Sequence, residues 1–411
     1  MMREPFELEN CIVLVGPELR PFACRRFVCE DGLITKIERE EERKSLEGGC
    51  PIVVPGMWNS HTHMGDSFIA DGATDLTLEE GFFRPDGLKY RELETVDSEF
   101  QYAAVHAALE HMATTGTVGH IDFREQGTKG AKLLRKASGA TGITSIILGQ
   151  LAQLPFSGAE LSANTGRPSK PVWEEIRAIL RTADGVSEST INDLTDPTWR
   201  ELLKLSEAEG KLRAIHCLEN TTYREESLRI TGRGDLERAL DVFRPHLVIH
   251  LTVANEEEIA LLKASGAVAV VNPRANAALG LPLPPLKALL EADVPLLLGT
   301  DNGLLNSPNL LPELDFTYRL AKSQYGNAVD PPPEKILAMA TSNIRHVPGE
   351  RFLGHLEEGL PGSFFVVDGH AGHLRYSRNL LAALLTRATP EDILWSFNRG
   401  RCLLARPTSS P

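Results

Sequence analysis

The chain has 411 residues, 42% hydrophobic and 24% charged, ordinary for a soluble globular enzyme and long enough for one large barrel with an annex or for two to three domains. With 56 acidic against 43 basic residues the formal net charge is −13, which argues against nucleic acid or an anionic membrane as partner, since counterion release needs clustered Lys and Arg. No apolar run reaches the roughly eighteen residues of a membrane span, and the acidic start Met1–Phe6 lacks an apolar signal core, so a cytoplasmic protein with no membrane partner is expected.

In chain order, residues 1–52 hold short β-like runs (Cys11–Val15, Arg26–Cys29) and a period-two stretch, Leu33–Glu38, after the turn at Glu30–Gly32. The far end, 348–411, carries a similar turn and strand in Gly359–Asp368. Two β-rich ends suggest a small β-sandwich built from both termini, with 53–347 inserted between them. In that middle part eight strands are expected near 53–60, 117–123, 143–150, 183–188, 212–217, 247–251, 267–272 and 294–300. Helical patterns separate them at 97–115, 129–138, 172–182, 197–209, 255–265 and 284–292, the βα alternation of a parallel sheet. The fold class expected is therefore α/β, a (β/α)8 TIM barrel with the terminal sandwich as annex. The six cysteines form no C-x-x-C pair and read as reduced, buried thiols.

Chemistry concentrates at the carboxyl ends of the predicted strands. Val53–His63 ends in His61-Thr62-His63, and on an extended strand the i, i+2 spacing sends both imidazoles to one face. His216 closes Leu212–His216, His250 closes Leu247–His250, and Asp301 closes Val294–Asp301. Such residues at several strand ends are what a barrel presents at its catalytic face. His61, His63, His216 and Asp301 form a ligand set suited to one divalent ion, Zn²⁺ or alternatively Fe²⁺, with a position left for water. Asp301 could also accept the proton of that water, and His250 could reach the attacking oxygen without being a ligand. His120 reads as a buried structural histidine, and His346, His355, His370 and His373 as surface residues.

The pattern P-G-[apolar]-x-x-x-H-x-H, with histidines closing the fifth and sixth strands and G-T-D closing the eighth, resembles the amidohydrolase superfamily. Within it, His216-Cys217-Leu218-Glu219 and Thr300-Asp301-Asn302 are similar to the H-x-x-E and G-T-D-[GN] of the cytosine-deaminase and triazine-hydrolase branch. The resemblance spans nearly the whole chain and implies that Glu219 shuttles a proton from the hydrolytic water to the leaving nitrogen. It also implies a single metal, since the fourth strand (182–190) holds no lysine to bridge two; Glu188 is the one conceivable bridge. The expected activity is hydrolysis of a non-peptide carbon–nitrogen bond in a small molecule. Deamination of a nucleobase-, nucleoside- or pterin-like ring leads, ahead of cyclic-amide, N-acyl or triazine-type hydrolysis and of a silent barrel acting by binding. The resemblance leaves room for a homo-oligomer.

For the substrate, Arg124 after the second strand and Arg274 and Asn276 after the seventh are the candidate readers, as guanidinium forks suit planar oxyanions. Both arginines could instead pair a nearby glutamate. The long loop from Met64 to Tyr90 lies at the same face.

Overall fold

The computed structural model describes residues 5–349 and 353–407; residues 1–4, 350–352 and 408–411, parts of the two terminal segments, lie outside them. The described residues form sixteen strands: β1 (Phe6–Val15), β2 (Arg20–Glu30), β3 (Leu33–Glu42), β4 (Ile52–Pro55), β5 (Met57–His63), β6 (Thr117–Arg124), β7 (Thr144–Gly149), β8 (Gly185–Thr190), β9 (Leu212–Cys217), β10 (Leu247–His250), β11 (Val268–Val271), β12 (Leu296–Leu298), β13 (Asp301–Asn302), β14 (Phe364–Val367), β15 (Ile393–Asn398) and β16 (Arg401–Ala405).

Strands β5 to β13 form one parallel sheet in sequence order. It closes into a barrel because the eighth strand is used twice: β12 pairs with β11, and β13, two residues further on, pairs with β5. Gly299 in that join permits the close approach, since a Cβ there would stand 2.7 Å from the Cβ of His61. The interior is filled by Trp58, Val118, Phe123, Leu148, Ala214, Ile249 and Leu297, and the outer face packs against the helices. The helices Ser98–Thr114, Gly127–Thr141, Lys170–Thr182, Asp196–Ala208, Glu256–Ser265 and Leu286–Glu291 fall where the sequence periodicity places them.

The remaining strands make a seven-stranded sheet in the order β16-β15-β14-β4-β1-β2-β3. It folds over its own core: the rings of Phe6 on β1 and Phe397 on β15 are 4.7 Å apart although β4 and β14 lie between those strands. In a flat sheet that gap would exceed about 14 Å at the usual strand spacing. The strand expected over 53–60 is in fact two. Pro55-Gly56 breaks it, so β4 joins the terminal sheet and the barrel starts at Met57. Five of the cysteines are buried and Cys402 is exposed. The Met64–Tyr90 loop contains a 3-10 turn (Met64–Ile69), a short helix (Leu78–Phe82) and the start of another (Leu88–Thr95). Among the described residues no helix is long and apolar enough to cross a membrane.

Candidate metal centre and active site

Strand alternation and its interruptions aim the polar residues. β5 loses register with β6 between Asn59 and Thr62, and His61 within that irregularity and His63 beyond it both turn into the barrel mouth. On β10, Ile249 faces the interior, so regular alternation would turn His250 outward. Instead His250 and Leu251 adopt left-handed backbone (φ 77° and 60°), which brings the imidazole back into the site. Leu218 before Glu219 (φ 55°) and Asp301 (φ 67°) share this conformation. Each such non-glycine residue costs about 1–3 kcal/mol, and four gathered at the ends of β9, β10 and the eighth strand mark a functional site.

The result is a compact cluster. Ligand atoms of His61, His63 and Asp301, and those of His61, His216 and His250, lie within 4.8 Å of one another in two overlapping groups, all buried. His61 Nε2 is 3.1 Å and His63 Nε2 3.6 Å from Asp301 Oδ1. Phe123 forms the floor, its ring centroid 4.4 Å from that of His61. Each imidazole but one is fixed from behind. His63 Nδ1 is 2.7 Å from Glu125 Oε1, and His216 Nδ1 is 2.8 Å from the carbonyl of Ser189, which can only accept. Both histidines are thus oriented through Nδ1 with Nε2 left to face the cluster. His61 Nδ1 is buried and has no hydrogen-bond partner among the described residues.

Electrostatics favour neutral rings at two positions. Burial pushes His61 down to about 3 and His216 well below the ordinary imidazole value. At His63 burial and Lys89 work in the same direction, but Glu125 and Asp301 outweigh them and hold it above that value. Burial opposes ionisation of Asp301, yet the hydrogen bond to His61 and the nearby imidazoles keep its carboxyl well below the usual range. Asn59 holds the Thr300-Asp301 turn, accepting from Thr300 N at 3.0 Å and donating to Thr300 Oγ1 at 2.7 Å.

Glu219 lies in the same cavity, its Oε1 3.6 Å from His250 Nε2, and burial raises its carboxyl above the ordinary value. The Asn276 amide donates to His250 Nδ1 at 3.1 Å, which leaves the hydrogen of a neutral imidazole on Nε2. Leu78, Phe82, Tyr90, Tyr223 and Leu279 complete the walls with Lys89, Ser189 and Asn302.

Three expected substrate readers are not in that lining. Arg124 is fully buried beneath the cluster, its guanidinium bound to Gly130 O, Gln126 Oε1 and Glu125 Oε2. Pro273 opens a helix, Pro273–Ala278, so Asn272, Arg274 and Asn276 do not share one side of a strand. Arg274 faces Glu313 at 3.7 Å, and Asn276 serves His250. Glu188 is held by Arg84 at 2.7 Å and by Leu151 N, and belongs to neither ligand group among the described residues. His120 is buried between Thr62 Oγ1 and Ser145 Oγ, a structural position. Lys89, Tyr90, Glu125 and Ser189 had no local signal, because their roles arise only when distant segments meet.

Residues 52–394 match the amidohydrolase family. The chain belongs to that family. It is a hydrolase of carbon–nitrogen bonds, and the similar proteins agree in overall extent. A putative aminohydrolase of Methanothermobacter thermautotrophicus is 33% identical over 96% of this chain and 98% of its own length. A 5-methylthioadenosine/S-adenosylhomocysteine deaminase of Caldanaerobacter subterraneus is 24% identical over 88% of this chain and 83% of its own. The crystal structure of an adenosine deaminase from Xanthomonas campestris with bound zinc shares the fold, with a TM-score of 0.81, 17% identity, and coverage of 97% of this chain and 93% of that one.

Proposed function

We propose that this amidohydrolase is a deaminase of a small aromatic nitrogen heterocycle of nucleobase, nucleoside or pterin type. In this reading it uses one divalent ion, zinc, held by His61, His63, His216 and Asp301. The donor set fits such an ion: two imidazoles are kept neutral by burial, and His63 and His216 are braced through Nδ1. An ion bound there polarises a water molecule and brings its pKa towards neutrality. Glu219 collects one proton of this water and passes it to the ring nitrogen beside the attacked carbon, then carries the second to the exocyclic nitrogen, which leaves as ammonia while the ring carbon gains a carbonyl oxygen. A carboxyl raised by burial is suited to both halves of that transfer. His250 donates from Nε2 to the oxygen as charge develops on it. Asp301, held ionised, steadies His61 and can receive the first proton on its way to Glu219.

The observation that carries the reading is the sharing of one cavity by Glu219, His250 and the ligand cluster, beneath the aromatic walls of Phe82, Tyr90 and Tyr223. Those walls suit a planar ring. The names of the aminohydrolase and deaminase relatives support the same reaction. The test is a panel of purines, pyrimidines, their nucleosides and pterins incubated with zinc-loaded protein, with ammonia measured. Release from at least one ring class is expected. Hydrolysis of cyclic amides, N-acyl compounds or triazines without any ammonia from the panel would assign the chain to that other activity. Zinc retained with no turnover of anything would leave a binding barrel.

A further inference from the structure

The flap over the site carries two adjacent residues, each one contact removed from a ligand histidine. Lys89, 2% exposed and within the helix Leu88–Thr95, places Nζ 2.5 Å from Glu125 Oε1, the same oxygen that takes His63 Nδ1 at 2.7 Å. Tyr90 sets its hydroxyl 2.9 Å from Ser189 Oγ, and the Ser189 carbonyl takes His216 Nδ1 at 2.8 Å. Asp66 lies 3.7 Å from Lys89 and also accepts from Asn302 Nδ2 at 2.7 Å, next to Asp301. Arg84, earlier in the same segment, closes on Glu188 and on the Leu151 carbonyl.

With the flap down, the cavity holds about 40 Å³ of space for water. That admits a few water molecules at roughly 10–15 Å³ each, whereas ligand pockets run to about 300 Å³ or more. A heteroaromatic ring needs more room than this, and the segment carrying Phe82, Lys89 and Tyr90 is a wall whose lifting supplies it. Lifting it withdraws Lys89 from Glu125 Oε1, the atom that orients His63, and Tyr90 from the hydroxyl of Ser189, the residue whose carbonyl orients His216.

We infer that flap closure and metal retention are coupled through two relays, Lys89–Glu125–His63 and Tyr90–Ser189–His216, with Lys89 and Tyr90 acting as positioning residues for the metal ligands. The inference rests on the metal-centre reading given above. Coupling of this kind is reciprocal: an ion that binds better with the flap closed must also favour closure. Loss of an outer partner of a ligand histidine weakens metal affinity by about ten- to a hundredfold.

The full-length chain is stripped of metal, reloaded with zinc, and its affinity measured by competition with a chromogenic chelator, in wild type, Lys89→Met, Lys89→Arg and Tyr90→Phe. In parallel, chymotryptic cleavage at Phe82 and Phe83 is timed with and without zinc. Lys89→Met is expected to weaken zinc about ten- to a hundredfold. Tyr90→Phe should weaken it less, and Lys89→Arg, which keeps a cation on Glu125, should recover most of the loss. Zinc should slow cleavage of the flap in wild type and fail to do so in Lys89→Met. Should Lys89→Met not fold, Tyr90→Phe, which removes one hydroxyl, decides the matter by the same two readings. Zinc affinity within about twofold of wild type in the folded variants, with flap protection unchanged, overturns the coupling. A wild-type chain that binds no zinc overturns the metal centre and the coupling together.

Discussion

Replacing Arg84 by Met should destabilise the protein in a way that grows with pH. Glu188 is fully buried, and burial lifts its carboxyl from 4.5 to about 7 even though Arg84 and Leu151 N act to lower it. A raised folded value means that this group's contribution to stability is fully present below pH 4.5 and is lost as pH rises to about 7. In wild type the loss then levels off near about 3 kcal/mol, at 1.36 kcal/mol per unit, because the folded state ionises too. Without the guanidinium the folded value rises further, so the loss continues above pH 7 at about 1.4 kcal/mol per pH unit. Asp193, whose carboxyl Arg84 also lowers, shifts in the same direction. At pH 6 the variant should fall below wild type by about 1 kcal/mol, for the bond from Arg84 to the Leu151 carbonyl. At pH 9 the gap should widen by about 3 kcal/mol more. Urea unfolding followed by circular dichroism at pH 6, 7, 8 and 9 measures it. Adding Glu188→Gln to Arg84→Met should remove most of the pH dependence. A gap that stays constant from pH 6 to 9 would refute the argument that the pair exists to ionise Glu188 in the folded state.

Three further outcomes follow from the site. Glu219→Gln should retain zinc and lower kcat by roughly 10²–10⁴, read from metal content and ammonia release together. His61→Ala, which removes the imidazole common to both ligand groups, should lose the ion on dialysis. Arg274→Ala should leave KM within about threefold of wild type, since the side chain pairs with Glu313 outside the cavity. Its stability loss should emerge only above pH 8, because burial holds the Glu313 carboxyl up at about 8 and the charge that Arg274 compensates forms only there.

The legible part of the molecule was the local part. His61-Thr62-His63, His216 and His250 near the ends of β9 and β10, and Gly299-Thr300-Asp301 could be read because strand ends and apolar runs are properties of a few neighbouring residues. The barrel followed from the alternation of those runs with helical periods. What failed was direction. Beyond β11 the chain turns at once into the helix opened by Pro273, so Arg274 is directed to Glu313 and Asn276 to His250 rather than into the cavity lining. The break at Pro55-Gly56 was likewise visible but read through. Arg124 could not have been assigned from sequence. Whether a guanidinium after a strand meets ligand or glutamate depends on Gly130 and Gln126 folding back beneath it. The Lys89 and Tyr90 contacts were beyond reach for the same reason, since they join the flap to the ends of β6 and β8.

A zinc titration shows whether a single ion at this cluster is what deamination requires. Metal-free protein is titrated with zinc while ammonia release is followed from the most active ring found in the panel. Activity should rise linearly and break at one equivalent per chain. A break at two equivalents, or zinc fully bound with no ammonia released, would contradict it.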